Sequence, residues 1–219
     1  MRITCLHTAE SNIAVFDTAA AALGIGPQVL HHAVRADLLT AVERAGHLTA
    51  DVAEQTRREL VALARHCNAV VLTCSTLGPV VELAGAHTQV PILRADEALA
   101  FAAVHAGGKV TVLCAIETTI KPTSRLFLQA AQQAGASVEV QWVPGAWAMF
   151  KAGDLLGYLA TIARAADRAY MDGASIVALG QASMSGAASL VTAGPAPLTS
   201  ASAGLRAALS RAERGYDPG

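Results

Sequence analysis

The sequence predicts an α/β protein of two pseudosymmetric lobes, each a parallel sheet flanked by helices, and three observations carry that expectation. Short β-branched runs alternate with Ala-rich stretches of helical spacing, the pattern of successive strand–helix–strand units. The chain also repeats itself at an offset of 107 residues, as when Arg2 is laid on Lys109. Composition fits the packing this implies: 53% of residues are hydrophobic and only 4% aromatic, so Ala, Val and Leu must build the cores by close helix-on-sheet contact. A length of 219 residues is enough for two such cores.

Taken in order, residues 3–6 read as the first strand, 49–66 as a helix, and 69–72 and 90–93 as further strands. Strands follow at 110–113, 138–142 and 176–179, with helices over 122–134 and 154–171 between them. A last helix is read over 201–214, and the lobes are expected at 1–97 with 199–219 and at 98–198. The repeat supports this division. RITCLHTAESN from Arg2 overlies KVTVLCAIETT from Lys109, and AVVLTCSTL from Ala69 overlies IVALGQASM from Ile176. VPIL at Val90 and APL at Ala196 agree to within a residue, and the offset lays Cys74 on Gln181.

Several function classes are excluded at once. Only 15% of residues are charged, so the chain folds rather than solvates. A net charge of -1 leaves no basic field for nucleic acid. The uncharged stretch 173–205 is interrupted by Gln181, Pro195, Pro197 and several Ser and Gly, so no membrane span is expected. The N-terminus lacks an apolar signal core, and the four cysteines lack CxxC spacing; a cytoplasmic chain with free thiols is the expectation, and it is compatible with a homo-oligomer.

Ligands of open parallel sheets collect at the carboxyl ends of strands, so the residues there are the candidates for chemistry. Cys74 follows a strand and precedes Ser75, Thr76, Leu77 and Gly78, where a helix is expected to begin; a helix N-terminus favours the thiolate and binds anions. The alternative is a buried structural thiol, the role expected of Cys5 and Cys67. Cys114 ends its strand and corresponds by the offset to His7, which is either a general acid or base or a structural histidine. His31 and His32 are adjacent, and neighbouring side chains do not converge on one ion, so no metal is assigned. Ser11, Asn12, Ser75, Thr76, Thr118, Thr119 and Ser183 are short polar groups after strands, suited to a carboxylate in a cleft between lobes or, singly, to helix capping. No GxGxxG or Walker loop occurs.

With these residues in place, VVLTCSTLG and VALGQASM resemble the two active-site motifs of the aspartate/glutamate racemase superfamily, which includes hydantoin racemases, maleate isomerases and arylmalonate decarboxylases. The resemblance spans nearly the whole chain. It implies two α/β lobes, an active site in the cleft between them, a small carboxylate substrate and no cofactor. Cys74 matches the first of two catalytic thiols, Ser75 stands where many relatives have Asn, and Thr76 matches the carboxylate-holding Thr. The second motif, which implies substrate contacts from Gln181, Ala182 and Ser183, reads Gly180-Gln181-Ala182-Ser183-Met184, with Gln181 in place of the second thiol. Gln does not exchange a proton at neutral pH. The resemblance therefore leaves a racemase with another second base, an isomerase or a one-thiol decarboxylase, while a carboxylate-binding protein or an unrelated cysteine hydrolase with a His on Cys74 are the alternatives outside it.

Overall fold

The computed structural model describes residues 1–214. It divides into two compact units, one of Met1–Ala98 with the chain from Ala201 on, the other of Leu99–Ser200. The first contains β1 (Ile3–His7), α1 (Ser11–Ala22), β2 (Leu30–Val34), α2 (Ala36–Ala45), α3 (Ala50–Ala64), β3 (Ala69–Leu72), α4 (Val80–Gly85), β4 (Ile92–Arg94) and, returning at the end, α9 (Ser200–Arg214). Its sheet is wholly parallel in the order β2-β1-β3-β4. β1 and β3 are buried along their whole length, as expected of central parallel strands covered on both faces.

Helix ends follow the local sequence. The α3 helix starts at Thr49, whose hydroxyl accepts the Val52 N–H at 3.3 Å, and Val52, Thr56, Leu60 and Ala64 form its buried stripe. Where α9 crosses the sheet, Gly204 comes so close that an added Cβ would lie 3.1 Å from the Ala95 Cβ and 3.3 Å from Val71. Glycine there permits the contact.

The second unit contains β5 (Lys109–Cys114), α6 (Ile120–Ala134), β6 (Ser137–Trp142), α7 (Ala146–Lys151), α8 (Leu155–Met171), β7 (Ile176–Leu179) and β8 (Leu198–Thr199); α5 (Ala95–His105) carries the chain into it. Its sheet is again parallel, in the order β6-β5-β7-β8. The α8 helix is capped by the Asp154 carboxylate, which accepts the Gly157 N–H at 2.9 Å. It buries Tyr158, Ile162, Ala163, Ala166 and Ala169 against β5 and β7, the close Ala-based packing that the composition implies.

The repeat extends to individual hydrogen bonds. Ile3 pairs with Ala69 and Val110 with Ile176, both pairs related by the sequence offset. Asn68 Oδ1 accepts the Arg2 N–H at 2.7 Å, and Ser175 Oγ accepts the Lys109 N–H at 3.3 Å, so each unit fastens the start of its first strand in the same way. The Thr73 N–H donates to Leu6 O as the Gly180 N–H donates to Leu113 O. β2 and the helices α1, α2 and α7 go beyond the elements expected from the sequence. Among the described residues no helix is long and apolar enough to cross a membrane.

Candidate active site

In each sheet the chain runs outward from the first strand in both directions, so a crevice opens at the carboxyl ends of the two central strands. In the first unit His7 ends β1 and Cys74 lies just past β3. Cys74 is extended, at φ -99° and ψ 113°, and half-buried. The helix expected to begin there is instead one 3-10 turn, Ser75–Leu77, and α4 starts only after Pro79. Pro79 has no N–H to donate, so the helical hydrogen bonding is interrupted between the two pieces although Gly78 and Pro79 both keep helical backbone angles. Leu77 anchors the turn in the core, leaving Ser75 and Thr76 exposed.

Two residues overlooked in the sequence shape this turn. A side chain on Gly78 would collide with the guanidinium of Arg94, which ends β4 and holds Asp96 through two hydrogen bonds of 3.0 and 2.8 Å. Thr73 donates its hydroxyl proton to Leu6 O at 3.1 Å and lies 2.9 Å from His7 Nδ1. His7 is fully buried, edge-on to Phe16, and its Nε2 lies 2.9 Å from His32 Nδ1; His32 Nε2 lies 3.0 Å from Asp17. Burial pushes the His7 imidazole down to about 4, the neighbouring His32 adding to the shift and Asp17 opposing it. His32 thus converges with His7 rather than with its neighbour His31.

In the second unit Gln181 occupies the position of Cys74, in the same extended conformation at φ -134° and ψ 142°. Its Oε1 accepts the Ala115 N–H at 2.9 Å and its Nε2 donates to Thr119 Oγ1 at 3.3 Å, while the Thr119 hydroxyl donates to Ile116 O. Gln181 therefore braces the loops after β7 and β5. Ser183 lies 2.9 Å from the hydroxyl of Tyr158, which is fully buried and whose ionisation burial pushes up to about 12. Ala182 opens the following 3-10 segment, Thr118 is exposed, Ser11 is exposed at the start of α1, and Asn12 beside it is half-buried.

The other thiols differ from Cys74. Cys5 and Cys114 are fully buried, and burial raises both above the usual thiol range. Cys67, at the opposite end of β3, donates to Leu63 O at 3.2 Å.

Two four-stranded parallel sheets, each with polar turns after its central strands, define a two-lobe class of α/β protein. The Asp/Glu/Hydantoin racemase model matches residues 7–208, and the chain belongs to that family of racemase-type enzymes. Similar solved structures include an allantoin racemase from Pseudomonas fluorescens, with a TM-score of 0.68 at 18% identity over 100% of this chain and 94% of that one. An aspartate racemase from Picrophilus torridus gives 0.72 at 11% identity over 97% and 95%. The glutamate racemase isoform RacE1 from Bacillus anthracis gives 0.65 at 14% identity over 98% and 82%. At these identities the likeness establishes the two-lobe α/β fold. No curated protein matches the sequence at a significant level.

Proposed function

We propose that the chain is a cofactor-independent enzyme that moves a proton at the carbon next to the carboxylate of a small acid, with Cys74 as its single working thiol. One observation carries this reading: of the four cysteines, Cys74 alone stands beyond the carboxyl end of a central strand without being fully buried. As a thiolate it would take the α-proton, the electron pair passing into the carboxylate, and as a thiol it would return a proton to the same face. The exposed hydroxyls of Ser75 and Thr76 suit a carboxylate beside it. Gln181, a neutral amide already engaged with Ala115 and Thr119, offers no second base. One-faced protonation fits a carbanion left by loss of CO2 and would deliver one enantiomer; toward an alkene diacid the same thiolate would serve as a nucleophile. Four free thiols fit a reducing, cytoplasmic setting.

The test is deuterium uptake from D2O with amino acids, hydantoins and substituted malonates. Label should enter one face of a substrate, and Cys74→Ser should abolish most of it; uptake indifferent to that change would sink the reading. A second reading, a non-catalytic carboxylate-binding protein, is favoured by the hydrogen bonding of Gln181 and Ser183 within their own unit. Iodoacetamide separates the two, because an activated Cys74 would be labelled far faster than Cys5 or Cys67, whereas a binding protein would lack that contrast.

A further inference from the structure

We propose that Cys5, His7 and His32 form a binding site beneath α1 for a divalent transition metal of zinc-like softness. One donor atom from each residue lies within 4.8 Å of the other two. Cys5 and His7, two apart on β1, share one face of the sheet, and the parallel register sets His32 beside Cys5. The surrounding hydrogen bonds specify which nitrogens face inward. The Thr73 hydroxyl proton goes to Leu6 O, so the Thr73 oxygen accepts from His7 Nδ1–H. The Asp17 carboxylate, an acceptor only, takes the His32 Nε2–H.

A neutral imidazole has one N–H, and both are thus spent on outward partners. His7 Nε2 and His32 Nδ1 then confront each other at 2.9 Å as two lone pairs, an arrangement that calls for a cation between them. A metal ion can fill that role, with the Cys5 sulfur as third ligand. Two imidazoles and a thiolate suit zinc rather than calcium or magnesium. Ligating histidines characteristically donate their other N–H to a carboxylate or similar acceptor, as His32 does to Asp17 and His7 to Thr73. Charge also balances, since the Cys5 thiolate and Asp17 together offset a doubly charged ion.

Zinc–nitrogen distances near 2.0–2.1 Å and tetrahedral angles separate two nitrogens by about 3.4 Å, so the imidazoles must part by roughly half an ångström. Cys5 gives its proton to solvent as the metal enters. The side chain of His32 is 14% exposed and marks the route of entry.

The experiment titrates the reduced, chelator-stripped full-length protein with Co2+, then Zn2+. One equivalent of Co2+ should produce thiolate-to-cobalt charge-transfer absorption that Zn2+ bleaches. Cys5→Ala should abolish the absorption and Cys74→Ser should retain it. Asp17→Asn, on the exposed side of α1, should weaken binding about 10–100-fold, the usual cost of losing a carboxylate behind a ligating histidine. Absence of the absorption in the natural chain, its survival in Cys5→Ala, or unchanged affinity in Asp17→Asn overturns the site. Should Cys5→Ala fail to fold, the natural chain and Asp17→Asn decide the matter.

Discussion

At the crevice of the first sheet stand His7, Thr73, Cys74 and Arg94; at the matching positions of the second stand Cys114, Gly180, Gln181 and Thr199. The backbones that hold these sets agree down to the amide bridging each pair of central strands. Their side chains do not. The first set offers an imidazole, a hydroxyl, a partly accessible thiol and a guanidinium, whereas the second has a thiol kept neutral by burial, an amide and no formal charge. A duplicated fold thus preserves where functional groups can stand without preserving what they do, because strand pairing depends on backbone hydrogen bonds and leaves the turn residues free to change.

The largest expected effect breaks the comparison on its reactive side. Cys74→Ser keeps the size of the side chain and replaces the thiol with a far weaker acid, so one-faced deuterium uptake should fall at least about 10²-fold. Urea unfolding of the variant should coincide with that of the natural chain, which separates lost chemistry from lost structure. On the second side the expected loss is in stability. Gln181→Ala strands the N–H of Ala115, a residue only 1% exposed, and leaving a buried donor unmet costs about 1–3 kcal/mol, read as a lower urea midpoint. A midpoint that does not move would mean that water replaces the amide. Tyr158→Phe removes a single hydroxyl from the bond to Ser183 and should cost about 0.5–1.5 kcal/mol by the same measurement.

The strands of each crevice were legible because they are short apolar runs at a fixed offset, and the bounds expected for β3 and β7 match those observed. β2 was not, since LHHAV carries two histidines and only its first residue is fully buried. The repeat held the missing signal: moving the expected strand at 138–142 back by the offset lands on residues 31–35. The strand-end positions of Cys74 and Gln181 were readable from the repeat and the motifs. Thr73, Arg94 and the meeting of His7 with His32 were not, because they arise from register and side-chain reach across the sheet, which no local spacing encodes. The hydroxyl of Ser183, a candidate anion ligand, also meets Tyr158 from α8, a partner 25 residues away that no local pattern pointed to.

The smallest expected effect sharpens the comparison by reversing it. Gln181→Cys installs a thiol at the position in the second unit that corresponds to Cys74, on backbone already extended as Cys74 is. If the second turn descended from a proton-transfer site, deuterium should then begin to enter the second face of a substrate with an acidic α-hydrogen, giving slow racemisation. The gain should be modest, because proton transfer needs hydrogen-bonding reach to the carbon, and the loop loses the braces of Gln181 to Ala115 and Thr119 at the same time. Gln181→Ser is the control, since it loses the same braces without gaining an acid. Racemisation by the natural chain itself, unaffected by Gln181→Ala, would contradict the one-thiol reading and require a second base elsewhere. His7, neutral at physiological pH and hydrogen-bonded beside Thr73, would be the first residue to replace.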